Sequence, residues 1–418
     1  MNKNSAPTDW KAPAMRRRIA ARYAAERRFK AMGLGAVLLS GLFLGFLLVV
    51  MVGNGVRGFT YTQVAVPIDF RATPLGVDPA RLSDPDADQL IANAGLADIV
   101  AFAADEALGD GGSRLISENA WKDVRRAIKD DPGLLEGKSV FDLPAASAVD
   151  IGAKQGAPGP LGARIAELKQ EGRLATGIHW AFFRNADATD PAAAGIKGAL
   201  KGSLLTILTA FLIAFPTGVL AALYLEEYAP KNRWTDFIEV SINNLAAVPS
   251  IIFGLLALAV FINLLGLCQA SPLVGGLTLA LMTMPVIVIA SRNAIKAVPP
   301  SIRDAALGVG ASPVQVVFHH VLPLALPGIL TGAIIGMARA LGETAPLLLI
   351  GMRAFIGDVP GGICSPSTVL PMQIFLWSDE VDRGFVEKTS AAIIVLLAVL
   401  LSMNALAIYL RNKFEKRW

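Results

Sequence analysis

The stretch Val298-Pro299-Pro300-Ser301-Ile302-Arg303-Asp304-Ala305-Ala306-Leu307-Gly308-Val309-Gly310-Ala311-Ser312-Pro313-Val314-Gln315, closing on Leu322-Pro323, decides the fold. Long apolar runs flank it, yet Val298 to His320 is itself too polar to sit in lipid. Local signals divide it into two short helices. Ser301 is placed to cap the first, with Asp304 three residues on as its reciprocal partner. Gly308 and Gly310 end that helix, because glycine tolerates the left-handed turn. Ser312 is placed to cap the second, with Pro313 at its first position and Gln315 completing the box. Leu322-Pro323 closes the unit and opens the next apolar run. A compact helical bracket at a membrane surface is a docking element for something else.

The rest of the chain supplies the membrane. Of 418 residues, 54% are hydrophobic and only 17% charged, where a soluble protein has about a quarter charged. Nine Lys and Arg precede the first apolar run and four fall in the last eight residues. Basic clusters so placed set topology rather than bind nucleic acid. Two cysteines are too few for a disulfide framework.

Residues 1–30 form a basic tail expected to stay in the cytoplasm, and Met15 to Lys30 suits a helix lying on anionic headgroups. Residues 31–56, free of charge, form a retained first span running outward. Residues 57–194 contain no run long enough to cross a bilayer and read as an inserted soluble α/β domain on the extracytoplasmic side. Tyr61 to Phe70 alternates like a strand; Gln89–Leu108, Arg114–Lys129 and Ala163–Leu174 have helical spacing. Tether, docking surface and plain spacer all remain open as its role. Gly133-x-x-x-Gly137-Lys138-Ser139 is one residue short of a phosphate-binding loop and follows no buried strand, so this chain carries no ATPase of its own.

Residues 195–411 hold five more spans. Gly202–Leu225 returns inward. Val240–Ser291 carries no charge and is too long for one helix, so Cys268-Gln269-Ala270-Ser271-Pro272 divides it into a third and a fourth span. Pro249 and Pro285 read as kinks within them. The bracket at 298–323 follows on the cytoplasmic side, then Leu322–Ile350, an outer loop Gly351–Lys388 and a sixth span Ser390–Leu410. Residues 412–418 are a cytoplasmic tail. The expectation is an all-α polytopic membrane protein with six transmembrane helices and both termini inside.

Arg339 and Glu343, four apart, share one helix face and are the only charges in the fifth apolar run. A cation at a span's centre costs about 2.5–3.5 kcal/mol, so it is expected to face a bundle interior or a water path. Arginine's planar fork suits phosphate or sulfate. Two roles stay open: contact with, or gating of, a passing anion, and a pair that only locks helix packing. Gly332, Gly336 and Ala340 stand at small-xxx-small spacing. Cys268 and Cys364 both fall on the outer side, where a disulfide is possible, although two unpaired thiols are the favoured reading. His319 and His320 lack further metal ligands nearby, and no Ser-His-Asp order or carboxylate pair argues for an enzyme.

Asp304-Ala305-Ala306, Gly310 and Leu322-Pro323 resemble the EAA loop of type I ABC importer permeases, with Asp304 where Glu is usual and His320 where an aliphatic residue is usual. Ala338-Arg339-Ala340-Leu341-Gly342-Glu343-Thr344-Ala345-Pro346-Leu347-Leu348 and Gly218 to Ala229 resemble the PstA branch of the phosphate permeases. The resemblance covers roughly Gly195 to Trp418. It implies a permease core in a bacterial inner membrane, importing inorganic phosphate by alternating access. It implies partners: a PstC-like permease, a PstB-like ATPase dimer that uses ATP and Mg, and a PstS-like phosphate-binding protein. No cofactor is implied for this chain. It further implies that Arg303, Asp304, Ala305, Ala306, Gly310, Leu322 and Pro323 couple to the ATPase, and that Arg339, Glu343 and Thr344 line the anion path or its gate. The rivals are a permease for another oxyanion, such as sulfate or molybdate, and a membrane-anchored sensor using residues 57–194.

Overall fold

The computed structural model describes residues 13–84, 86–352 and 355–414. The chain divides into two units, Met1–Gly53 and Asn54–Trp418. The described part of the first is all helix. It belongs to α1 (Pro13–Gly58), 46 residues without a break, so the basic segment from Met15 to Lys30 continues the apolar one and is not a separate helix along the headgroups. Its 46 residues are more than twice the about 20 needed to span a hydrocarbon core.

The last turn of α1 belongs to the second unit and leads into the inserted segment. β1 (Thr60–Asp69) runs up the middle of a small antiparallel sheet. α2 (Ala87–Asn93) and α3 (Leu96–Leu108) follow, split at Gly95 by its positive φ of 77°. Next come α4 (Trp121–Asp130), β2 (Lys138–Pro144), α5 (Ser147–Gln155), α6 (Gly159–Gln170), β3 (Leu174–Ile178) and α7 (Trp180–Arg184). The sheet order is β2-β1-β3. Val64, Val66 and Ile68 of β1 are fully buried against Ile91, Leu96, Val100 and Ile128. The sheet is small and the segment mostly helical, and two of its strands were not expected. The expected helix over Arg114–Lys129 starts only at Trp121, and Leu174 opens a strand rather than ending a helix. Lys138 and Ser139 begin β2, so no helix follows Gly137 and a phosphate loop is excluded there.

The helical core follows: α8 (Lys197–Leu223), α9 (Arg233–Ala246), α10 (Ser250–Ala257), α11 (Pro272–Lys296), α12 (Pro300–Gly308), α13 (Pro313–Gln315), α14 (Leu322–Gly342), α15 (Ala345–Leu349), α16 (Leu370–Ser378) and α17 (Gly384–Phe414). Wide π turns extend α8 through Tyr224–Tyr228 and α10 through Leu258–Leu264, and join α13 to α14 over Val316–Val321. α11 packs against both α8 and α14. Gly332 makes this possible, since a Cβ there would meet Ala290 Cβ at 2.1 Å. Gly58 does the same for α1 on α17, where a Cβ would stand 2.3 Å from the Glu387 carbonyl.

Among the described residues, five helices are long and apolar enough to cross a membrane. The expected third span is not a straight helix: α9 and the helix from Ser250 to Leu264 meet at 101°. Pro249 stands at that corner, as N-cap of α10, and is a break rather than a kink; Pro285 lies inside an unbroken α11. A second bent pair, α2 with α3, belongs to the inserted segment's core. The fifth span also breaks, after Gly342, and the expected outer loop contains α16 and the first turn of α17.

The inserted segment is fixed to the core through a buried charge cluster. Lys154 Nζ bonds Asp150 at 2.7 Å and Glu387 at 3.1 Å, and the carbonyls of Arg57 and Thr60 at 3.0 and 2.8 Å. Lys388 donates to the Gly58 carbonyl at 3.1 Å and to His179 Nδ1, while His179 Nε2–H donates to the Ala192 carbonyl at 2.8 Å. Two lysines thus serve the carbonyl end of α1, where the helix dipole is negative. Removing Lys154 leaves two carboxylates buried and unpaired. Lys154→Met is expected to cost about 3–5 kcal/mol, read as a lowered melting temperature of the detergent-solubilised protein. Glu387→Gln, which leaves Lys154 its other partners, is expected to cost less.

His179 supplies a pH dependence. Burial, reinforced by the Lys388 charge, pushes its imidazole down to about 3 from an ordinary 6.5. Between those values the unfolded chain holds a proton that the folded chain does not. The stability from neutral His179 is therefore complete above the unfolded value and is lost as pH falls toward 3, at about 1.4 kcal/mol per unit. Melting is expected at lower temperature at pH 5 than at pH 7.5, with the difference reduced in His179→Gln.

Candidate functional site: a docking bracket and a helix break

The bracket begins at Pro299, whose backbone is the N-cap of α12, with Pro300 in the first turn. Ser301 therefore lies inside the helix and caps nothing. Proline's fixed φ suits the first helical turn and starts α12 earlier than Ser301 alone suggests. Gly310 turns the chain with φ 91°. Ser312 then caps α13 in a full box: Gln315 N–H donates to Ser312 Oγ at 3.3 Å, and Ser312 N–H donates to Gln315 Oε1 at 2.9 Å. This second helix is not closed at Leu322-Pro323. It runs on through the π turn into α14, giving one helix from Pro313 to Gly342.

The expected coupling residues separate into two groups. Arg303 points into the fold. Its Nη2 meets Glu227 at 2.7 Å, and its Nη1 and Nη2 donate to the Val298 and Ile295 carbonyls at 2.7 and 3.1 Å. Ala306 is buried with Val316, Val317 and Val321 against Leu223 and Ile295, while Leu322 and Pro323 are half-buried at the start of α14. Asp304, Ala305 and Gly310 face outward. Around them stand apolar side chains that the motif did not point to: Leu307, Val314, Phe318 and Val309, the last 85% exposed. All four are exposed apolar side chains on otherwise polar helices.

A charged belt anchors this surface. Glu226 and Glu227, just past α8, face three cations: Arg292 reaches Glu226 at 3.3 Å and Glu239 at 2.9 Å, Lys296 reaches Glu226 at 3.6 Å, and Arg303 takes Glu227. These partners lie more than 50 residues apart in sequence, so no local signal reveals them. His319 and His320 are exposed, and no group of three metal-ligating side chains occurs among the described residues.

At the other end of α14, Arg339 lies in the last helical turn and Glu343 just beyond it, on extended backbone. Arg339 Nε is 3.7 Å from Glu343 Oε1. The side chains are 54% and 22% exposed. Arg339 is thus not inside this chain's own bundle, one of the two settings expected for it, the other being a water path. It shares an open face of α14 with Ile335 and Gly342. Thr344 is the N-cap of the short α15 but makes no side-chain cap. Cys268 and Cys364, favoured as free thiols on sequence alone, are joined in a disulfide with Cα atoms 5.6 Å apart. The backbone brings them together, through Leu273 N–H to the Ile363 carbonyl at 2.9 Å and Ser367 N–H to the Ala270 carbonyl at 2.8 Å.

Apolar spans with an exposed two-helix bracket between two of them describe a transporter's membrane subunit built to receive another subunit. Residues 214–418 match the family model of the binding-protein-dependent transport system inner membrane component. Residues 16–158 match a domain of unknown function, DUF3333. The chain is 36% identical over 172 residues to a probable ABC transporter permease protein, YqgI, of Bacillus subtilis, covering 41% of this chain and 58% of that relative. It is 32% identical over 228 residues to the phosphate transport system permease protein PstA 1 of Mycobacterium tuberculosis, covering 54% of this chain and 73% of the relative. A solved structure of the MetNI methionine ABC transporter aligns at 18% identity with a TM-score of 0.42, over 53% of this chain and 96% of that one. The chain belongs to the PstA-type permeases.

Arg303→Ala removes an ion pair and two carbonyl bonds at once. It is expected to loosen the bracket by about 1.5–3 kcal/mol, read as faster amide exchange over residues 298–312 with unchanged exchange in α8. Arg303→Lys should recover only part of this, because a point charge cannot make the same fork.

Proposed function

We propose that the chain is the PstA-like permease subunit of an ATP-driven importer of inorganic phosphate in a bacterial inner membrane, with both termini cytoplasmic. The observation that carries this is the 32% identity to a phosphate transport system permease across most of that relative's length, in a chain whose signature residues Arg339, Glu343 and Thr344 gather at a helix break. In this reading a PstC-like permease covers the open face of α14, and a PstB-like ATPase dimer, using ATP and Mg, seats the bracket. A PstS-like binding protein delivers the anion to the opposite end. This chain performs no hydrolysis and holds no cofactor.

The mechanism follows from where the rigid parts lie. Closure of the ATPase pushes on Asp304, Ala305, Val309 and Gly310. Arg303 and the Glu226–Glu227 belt carry that displacement to the ends of α8 and α11 rather than letting the bracket swing alone. The unbroken helix from Pro313 carries it up α14 to the break at Gly342. There Arg339 offers a guanidinium fork that can take two oxygens of a tetrahedral oxyanion, with Glu343 holding the fork when no anion is present. A sulfate or molybdate permease needs the same fork, so the cargo rests on the relatives and not on the arginine.

The test is phosphate uptake by cells whose only copy of the protein carries Arg339→Ala, with membrane level and complex assembly checked alongside. Uptake is expected to fall at least tenfold with assembly intact. Unchanged uptake removes Arg339 from the path and leaves its ion pair with Glu343 as packing.

A further inference from the structure

We propose that Ile178, Trp180 and Phe183, flanked by Arg57 and Arg184, form a foot by which the inserted segment rests in the phospholipid headgroup layer.

The segment has a packed core, and most of its large apolar side chains are inside it. Ile178, Trp180 and Phe183 are the exception as a group, at 62%, 58% and 41% exposed within six residues of sequence. They stand at a defined height. The apolar run of α1 ends at Val56, and α1 itself ends at Gly58. Register places Ile178 opposite Thr60, two residues past that end, or about 7 Å along an extended strand. The His179 N–H donates to the Phe59 carbonyl at 2.8 Å, and Phe183 stacks on the Phe59 ring with centroids 5.8 Å apart. Each headgroup layer is about 5–8 Å thick beyond the hydrocarbon. Counted from Val56, two helical and two extended residues put Ile178 at most about 10 Å out, at the edge of that layer, and the Phe183 ring, stacked on Phe59, stands nearer the hydrocarbon.

The chemistry fits the same place. Trp and other amphipathic rings concentrate at the membrane–water boundary, and arginine beside them meets lipid phosphate. Arg57 is exposed, and the Arg184 guanidinium lies over the Trp180 ring at 5.5 Å. Neither arginine forms an ion pair among the described residues. Phe182, between the exposed rings, is fully buried against the tops of α8, α16 and α17, so the foot is held rigidly to the membrane core. A docking protein could also cover such rings, but the height set by α1 favours lipid.

The test uses the full complex in vesicles of phosphatidylethanolamine and phosphatidylglycerol. Both native cysteines are in the disulfide, so an introduced cysteine labels alone. Ile178→Cys, and separately Trp180→Cys, carry a polarity-sensitive dye, and Phe102→Cys, exposed on α3, is the reference. Nitroxide lipids labelled at the headgroup or high on the acyl chain are expected to quench the dye at 178 and 180 at least threefold more than at 102. Equal quenching at all three sites overturns the proposal. So does a dye that is shielded only when a soluble binding protein is added, which would assign the rings to protein docking.

Discussion

The Arg303 guanidinium, clamped between Glu227 and two backbone carbonyls, is the contact on which the bracket's usefulness depends. A two-helix unit of this size buries little: Ala306 and three valines are its main contribution to the core. Without a directional anchor such a unit would move freely under any push. The fork fixes it to the ends of α8 and α11 through three acceptor groups, the Glu227 carboxylate and two carbonyls, in a setting only partly exposed to water. What remains outside is then free to be shaped for another surface, and it is apolar: Leu307, Val309, Val314 and Phe318.

At the opposite end the same problem is solved with a different charge arrangement. The inserted segment meets the helices through Asp150, Lys154, Glu387 and Lys388, all nearly excluded from water. Burying four charges is costly, and each is retained because it satisfies another group: the lysines take up the carbonyls that end α1, and the carboxylates balance the lysines. The His179 imidazole stays neutral because it is buried, and the neighbouring Lys388 adds to the effect. The segment is thereby tied to the C-terminal end of α1 and the N-terminal end of α17 rather than hung on a loose linker.

Local chemistry was legible in the sequence where the partners are close in the chain. The Ser312–Gln315 box and the Gly310 turn follow from residues within a few positions of one another, whereas nothing local separated Asp304 and Ala305, which face outward, from Arg303 and Ala306, which do not. The Ser301 cap failed because Pro299-Pro300 start the helix first. The third span failed because its charge-free composition says nothing about direction, and Pro249 turned a supposed kink into a right-angled corner. β2 and β3 escaped notice since Val140 and Ile178, which should mark a buried face, are exposed. Arg339 was placed at mid-span by counting apolar residues, whereas the chain leaves its helix after Gly342. The partner of Arg303, 76 residues away, had no sequence signal at all.

Phosphate must cross these spans only when ATP is hydrolysed elsewhere and the bracket is engaged. The direct measurement is uptake of radiolabelled phosphate by proteoliposomes containing this chain with its proposed permease, ATPase and binding-protein partners, with and without ATP inside the compartment that the bracket faces. The predicted result is accumulation only with ATP, undiminished by excess sulfate or molybdate. Accumulation of sulfate or molybdate in place of phosphate, or phosphate movement indifferent to ATP, would contradict it.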